Sequence, residues 1–185
     1  MAIEPKPFDA ALARAVLADC EAALHVLKGN PRGVYWRLAW CSALTLLRAV
    51  GHVLEYEMRS PDAVPEMREA WRAWWKRVGD AKADHPIFWD FIRNDRNALL
   101  KEYRFTAEQG IIIQGALNTV PLGSVPLNGN VAEPTYLMKD GPLAGCDQRD
   151  LVQKAIAWWD RQLEEIALRA AAECMIEKRP GAAPA

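Results

Sequence analysis

The side chains best suited to chemistry crowd one stretch, from Arg93 to Tyr103, with Arg93, Asn94, Asp95, Arg96, Asn97, Lys101 and Tyr103 within eleven positions. The spacing reads as part of a helix over about 86–103. Asn and Asp form helices poorly because their side chains compete for backbone hydrogen bonds. Three of them in four residues suggest that something other than helix stability set this segment. Arg93, Asn97 and Lys101 recur every four residues and share a ridge. Arg96 and Tyr103, seven apart, share a neighbouring one. Fixed cations beside an amide and a phenol suit an anion with several oxygens, a phosphate or a partner's carboxylates. The ordinary alternative is that Asp95 and Arg96 bond to neighbouring helices while the rest meet solvent.

A second polar line, Arg48, His52, Glu55 and Arg59, runs along an otherwise apolar helix. A His–Glu pair with an Arg can do acid–base work, although such layers more often fix helix register. His85 before Pro86 reads as a cap or loop residue, and His25 as a surface partner of Glu21. Neither Glu21/His25 nor His52/Glu55 has the Glu-x-x-His order of a di-iron bundle, so no metal and no cofactor are expected. Trp71, Trp74, Trp75, Trp158 and Trp159 would stack bases if exposed, but their helical phase reads as core. Arg68, Arg72 and Lys76 form an outer ridge that Glu66, Glu69 and Asp80 offset. No glycine-rich phosphate loop, Ser-His-Asp set or Cys-His arrangement is present.

Arg96-Asn97-Ala-Leu-Leu-Lys101-Glu-Tyr103 resembles the signature of the HEPN superfamily, all-α domains of prokaryotic toxins and defence systems. Many members carry Arg, a polar residue, a few more residues and then His; one toxin branch adds Tyr two residues later. Arg96, Asn97 and Tyr103 match, and Lys101 stands at the His position. The match covers about eight residues. The resemblance implies a metal-independent endoribonuclease, often a homodimer, with Tyr103 a target of nucleotide transfer by an antitoxin partner. Lys101 alters that chemistry. A general base is worth ~10²–10⁴ in rate when it titrates near the working pH, and Lys lies near ~10.4. Neutralising it takes a shift of about three units, or ~4 kcal/mol. Lys101 is easier to accept as a fixed cation for a phosphorane. If the second and fourth helices are neighbours, His52 would supply the missing imidazole, with Arg48 beside it.

Those residues need a helical frame. Apolar spacing predicts helices over about 8–28 (Phe8, Leu12, Val16, Cys20, Leu24 and Leu27 inward), 33–59 (Trp36, Trp40, Ala43, Leu47, Val50 and Leu54), 64–83 (Met67, Trp71, Trp74, Trp75 and Val78), 86–103 and 147–178 (Leu151, Ala155, Trp158, Trp159, Leu163, Ile166 and Ala170). Asp147 can cap the last, with Asp150 returning to it. Between residues 105 and 146 lie six of eleven glycines and four of twelve prolines. Ile111-Ile-Ile113 and the dipeptides Asn128-Gly129 and Asp140-Gly141 point to short strands and tight hairpin turns there. The expected fold is all-α: an antiparallel bundle of about five helices with a small β-rich insertion, one domain over 1–178, and a disordered tail over 179–185.

The 185 residues suffice for one buried core without disulfides. Net charge is −1, which disfavours a general nucleic-acid coat. Cys20, Cys41, Cys146 and Cys174 are far apart and read as reduced thiols. No leader-like start or membrane-length apolar run is present, so a cytoplasmic protein is expected. Two functions compete: an RNA-directed toxin or defence protein, and a non-catalytic helical interaction module that holds a protein partner through 105–146.

Overall fold

The computed structural model describes residues 10–113, 120–121 and 132–177. Its helices are α1 (Ala11–Lys28), α2 (Gly33–Arg59), α3 (Pro65–Asp80), α4 (Asn94–Glu102) and α5 (Gln148–Glu177). A π-helical segment, Ile87–Arg93, leads directly into α4. Strands β1 (Ala107–Ile113), β2 (Val120–Pro121) and β3 (Ala132–Met138) form an antiparallel sheet in the order β2-β1-β3. The all-α class with a small β insertion is therefore observed. Asn128-Gly129, Phe8 and the tail lie outside the described residues.

Each helix forms where a continuous apolar face meets a neighbour. The α2 seam of Trp36, Trp40, Ala43, Leu47, Val50 and Leu54 is buried as the spacing predicts, and so is the α5 seam from Leu151 to Ala170. α1 has no cap of its own. Glu57 on α2 supplies one, its carboxylate accepting from the Leu12 and Ala13 backbone N–H groups at 3.0 and 3.1 Å. That satisfies two of the donors that a helix start leaves open. α3 lies against α5, where Trp74 Nε1 donates to Gln162 Oε1 at 2.8 Å. Arg77 and Glu165 add a bidentate ion pair there.

Four details depart from the sequence expectation. Leu12 is 53% exposed, and Trp75 is 39% exposed rather than inward. The fourth helix is not uniform, because its first seven residues wind with the wider i→i+5 turn. Asp140-Gly141 does not turn a hairpin between strands: Gly141, at φ +75°, opens a short 3₁₀ turn over Gly141–Leu143 that carries β3 towards α5. Tyr103 is not the end of a helical ridge. It takes the left-handed conformation (φ 49°, ψ 34°) and closes α4, its N–H bonding back to Leu99 O at 3.0 Å.

The sheet is fastened at two places. Tyr136 stacks on Trp36 with ring centroids 3.9 Å apart, and Phe105 tilts against the same indole. At the start of α5, Asp147 caps the helix by accepting the Arg149 N–H at 2.7 Å. The cap is the one the sequence predicts; among the described residues no return bond from Asp150, whose side chain is exposed, accompanies it. Instead Asp147 accepts from Thr135 on β3 at 2.8 Å and from the Arg149 guanidinium, which also reaches Asn30 at the α1–α2 corner.

Candidate functional site

α2 lies against α4 and the π segment. This contact brings together five groups that sequence spacing places on three separate lines. Arg48 comes from the middle of α2, half-buried, its Cζ 5.6 Å from the Phe88 ring centroid. Burial lowers its pKa first, and then Arg96 and Arg93 do; Glu55 opposes them. His52, one turn further along α2, is lowered by partial burial, then by Arg48 and Arg96, again against Glu55. Its imidazole, exposed to solvent at this boundary, is thus biased towards the neutral form that can accept a proton. Arg93 rests over the Trp89 ring, Cζ 4.9 Å from the centroid, a cation–π contact. Arg96 Nη1 donates to Asn97 Oδ1 at 3.2 Å, which orients both side chains.

The π segment sets the phase of this array. Wider turns at 87–93 place Arg93 and Arg96 at angles that a continuous α-helix from Pro86 would not give. The His85 carbonyl accepts from the Phe88 and Trp89 N–H groups at 3.1 and 3.2 Å, and Trp89 Nε1 donates to Val78 O at 3.1 Å. These bonds tether the segment to the end of α3.

Arg48, His52, Arg93, Arg96 and Asn97 thus gather at the α2–α4 boundary. Lys101 and Tyr103 stand apart. Lys101 is exposed in the last turn of α4, and neither Arg48 nor His52 takes its main perturbation from it. Tyr103 is 73% exposed and meets Phe105 edge-on. Arg59 pairs with Glu55 rather than extending the polar line towards α4. His85 serves the loop, its Nδ1 accepting weakly from Trp158 Nε1 at 3.4 Å. Among the described residues no group of three or more His, Cys, Asp or Glu side chains is placed to hold a metal ion, and no helix is long and apolar enough to cross a membrane.

On the other side of Arg48 opens a cleft of about 250 Å³, which the sequence reading missed. Trp71, Trp74 and Trp75 of α3 and Trp159 of α5 form its apolar walls, and Arg48, Glu55 and Arg59 its polar edge. Arg59 and Trp71 continue into a shallower depression with Arg68 and Arg72. One signal was available: Gly51, an isolated glycine inside a long helix. A Cβ there would lie 2.9 Å from Trp159 Cη2 and 3.3 Å from Arg48 Nη1. Trp159 cannot swing aside, because it is fully buried and its Nε1 is tied to Leu47 O at 2.7 Å. Gly51→Ala is therefore expected to destabilise the fold by up to about 2 kcal/mol, overpacking of ~1–3 kcal/mol less a helix-propensity gain of about 1. A lowered urea midpoint would show it.

Comparisons with protein-family models, with curated proteins and with solved structures each find no match.

Proposed function

We propose that this is an RNA-directed, HEPN-like protein that grips a phosphodiester at the α2–α4 boundary and cleaves it without a metal ion. One observation carries the reading: three guanidinium groups are held near one another and beside a neutral imidazole. Arg48 and Arg96 are half-buried and Arg93 is exposed; like charges so placed repel, and a bound polyanion relieves that cost. In this reading Arg93 and Arg96 hold the phosphate and Asn97 positions Arg96. His52 takes the proton of the 2′-hydroxyl, whose oxygen attacks phosphorus as the bond to the 5′-oxygen breaks. The products are a 2′,3′-cyclic phosphate and a 5′-hydroxyl, the leaving oxygen taking a proton from water. Arg48 stabilises the phosphorane, Lys101 adds a distal cation, and Tyr103 is an exposed RNA contact or modification point. A homodimer and an antitoxin partner belong to the same reading.

The test is incubation of RNA with the pure protein, with and without EDTA. Cyclic-phosphate ends should form in both, and Arg96→Ala and His52→Ala should each slow their appearance about 10²-fold. The acid limb of the rate should fall below the ordinary histidine range, because His52 is held neutral. Wild-type rates in both variants would dismiss the assignment.

A second reading, a non-catalytic helical interaction module, is favoured by the outer face of α2, where Tyr35, Leu38 and Tyr56 are 73%, 60% and 72% exposed. RNA left intact at high protein concentration, together with a stable hetero-complex, would select it.

A further inference from the structure

We propose that the tryptophan-walled cleft between α2, α3 and α5 binds a guanine base; its placement beside the scissile phosphate rests on the RNA reading above. Trp71 points the argument to a planar ligand. Among the described residues it is the one tryptophan of the eight whose ring meets no other aromatic ring. It is half-buried, and it sits where the cleft and the outer depression join. Trp74 and Trp159 spend their N–H groups on Gln162 and Leu47. They are buried and close the floor of the cleft with apolar rings, while the half-buried Trp71 and the more exposed Trp75 present the indole faces that suit the flat body of a base.

Glu55 selects among bases. Its Oε1 pairs with Arg59, while Oε2 has no hydrogen-bond partner among the described residues. A carboxylate is an acceptor only. The pairing edge of guanine presents two adjacent donors, the ring N1–H and the exocyclic amine. Adenine presents one donor beside an acceptor that a carboxylate repels. Arg48 belongs both to this cleft and to the cationic array. A base in the cleft therefore lies one guanidinium away from the phosphate that Arg93 and Arg96 would hold.

Tryptophan emission reports occupancy, since the walls are indoles. Titration of the full chain with GMP should quench it saturably, with affinity at least about tenfold above that for AMP. Trp71→Ala should weaken GMP about tenfold or more, and Glu55→Gln should erase the preference for GMP over AMP. Both side chains are partly exposed, so an unchanged urea midpoint will certify the variants. Equal affinities for GMP and AMP, no saturable quench, or a Trp71→Ala variant that binds as wild type would overturn the proposal. A uridine oligomer carrying one guanosine separates the sources of the base. If it displaces GMP and is cut next to the guanosine, the cleft serves RNA. GMP binding that such an oligomer cannot displace refutes the placement beside a scissile phosphate. GMP binding without cleavage of any RNA upholds the guanine cleft and removes the nuclease reading. Cleavage indifferent to guanosine, with no GMP binding, does the reverse.

Discussion

Asp147→Ala is expected to destabilise the protein by about 3–5 kcal/mol, the cost of breaking a buried ion pair from one side. The side chains of Asp147 and Arg149 are only 5% and 12% exposed. Arg149 reaches Asp147 through Nε, at 3.1 Å to either oxygen, and through Nη2, at 2.7 Å to Oδ2. Removing the carboxylate breaks this ion pair, removes the α5 cap and deprives Thr135 Oγ1 of its acceptor. The bond from Arg149 Nη1 to Asn30 Oδ1, at 2.9 Å, stays in place. Urea unfolding should show the loss as a lowered midpoint. The double replacement Asp147→Leu/Arg149→Met should recover most of it, because an apolar pair of similar size removes both charges together. If the single and double variants lose the same amount, the cap and the Thr135 bond outweigh the ion pair. If the single variant matches wild type, this junction does not fasten the sheet to the bundle.

That network shows where sequence reading stops. Asp147 is legible as a cap because capping is local: the acceptor and the Arg149 N–H are two residues apart. Its link to Thr135 spans twelve residues, and the link from Arg149 to Asn30 spans 119. Neither leaves a periodic trace. The long helices were legible for the opposite reason, since α2 and α5 repeat their apolar positions over 27 and 30 residues. Seven residues of π winding are too few for a period to emerge, so sequence spacing places Arg93 and Arg96 on the ridges of an ideal helix. Tyr103 looked helical at seven residues from Arg96, but the chain had already turned left-handed there. The approach of His52 to the arginines was conditional on α2 meeting α4, and that contact is present. The cleft was hidden because Trp71 and Trp75 share a helical phase with core residues, and only packing against α5 decides how deeply each is buried.

Asp95→Asn is expected to flatten the dependence of stability on pH and to leave the protein more stable than wild type above neutrality. Asp95 sits in the first turn of α4, 7% exposed. Burial raises its pKa from 3.8 to about 7; Thr106 pulls it back, Asp140 pushes it up and Arg104 opposes. Among the described residues its Oδ2 and the Thr106 hydroxyl both lack a partner of good hydrogen-bonding geometry, so Thr106 offsets little of the cost of ionisation. The folded chain therefore keeps this proton up to about pH 7, whereas the unfolded chain releases it near pH 4. Between those values the folded state binds more protons, and stability falls as pH rises. A shift of about three units corresponds to about 4 kcal/mol, fully retained below pH 4 and fully lost above pH 7. Asparagine has the same shape and no charge to bury, so it escapes the loss. The measurement is the difference in unfolding free energy between variant and wild type at pH 4.5, 6 and 8, which cancels the slopes due to every other carboxylate. That difference should grow in favour of the variant with pH; a constant difference would mean that Asp95 ionises in the fold as readily as in the open chain.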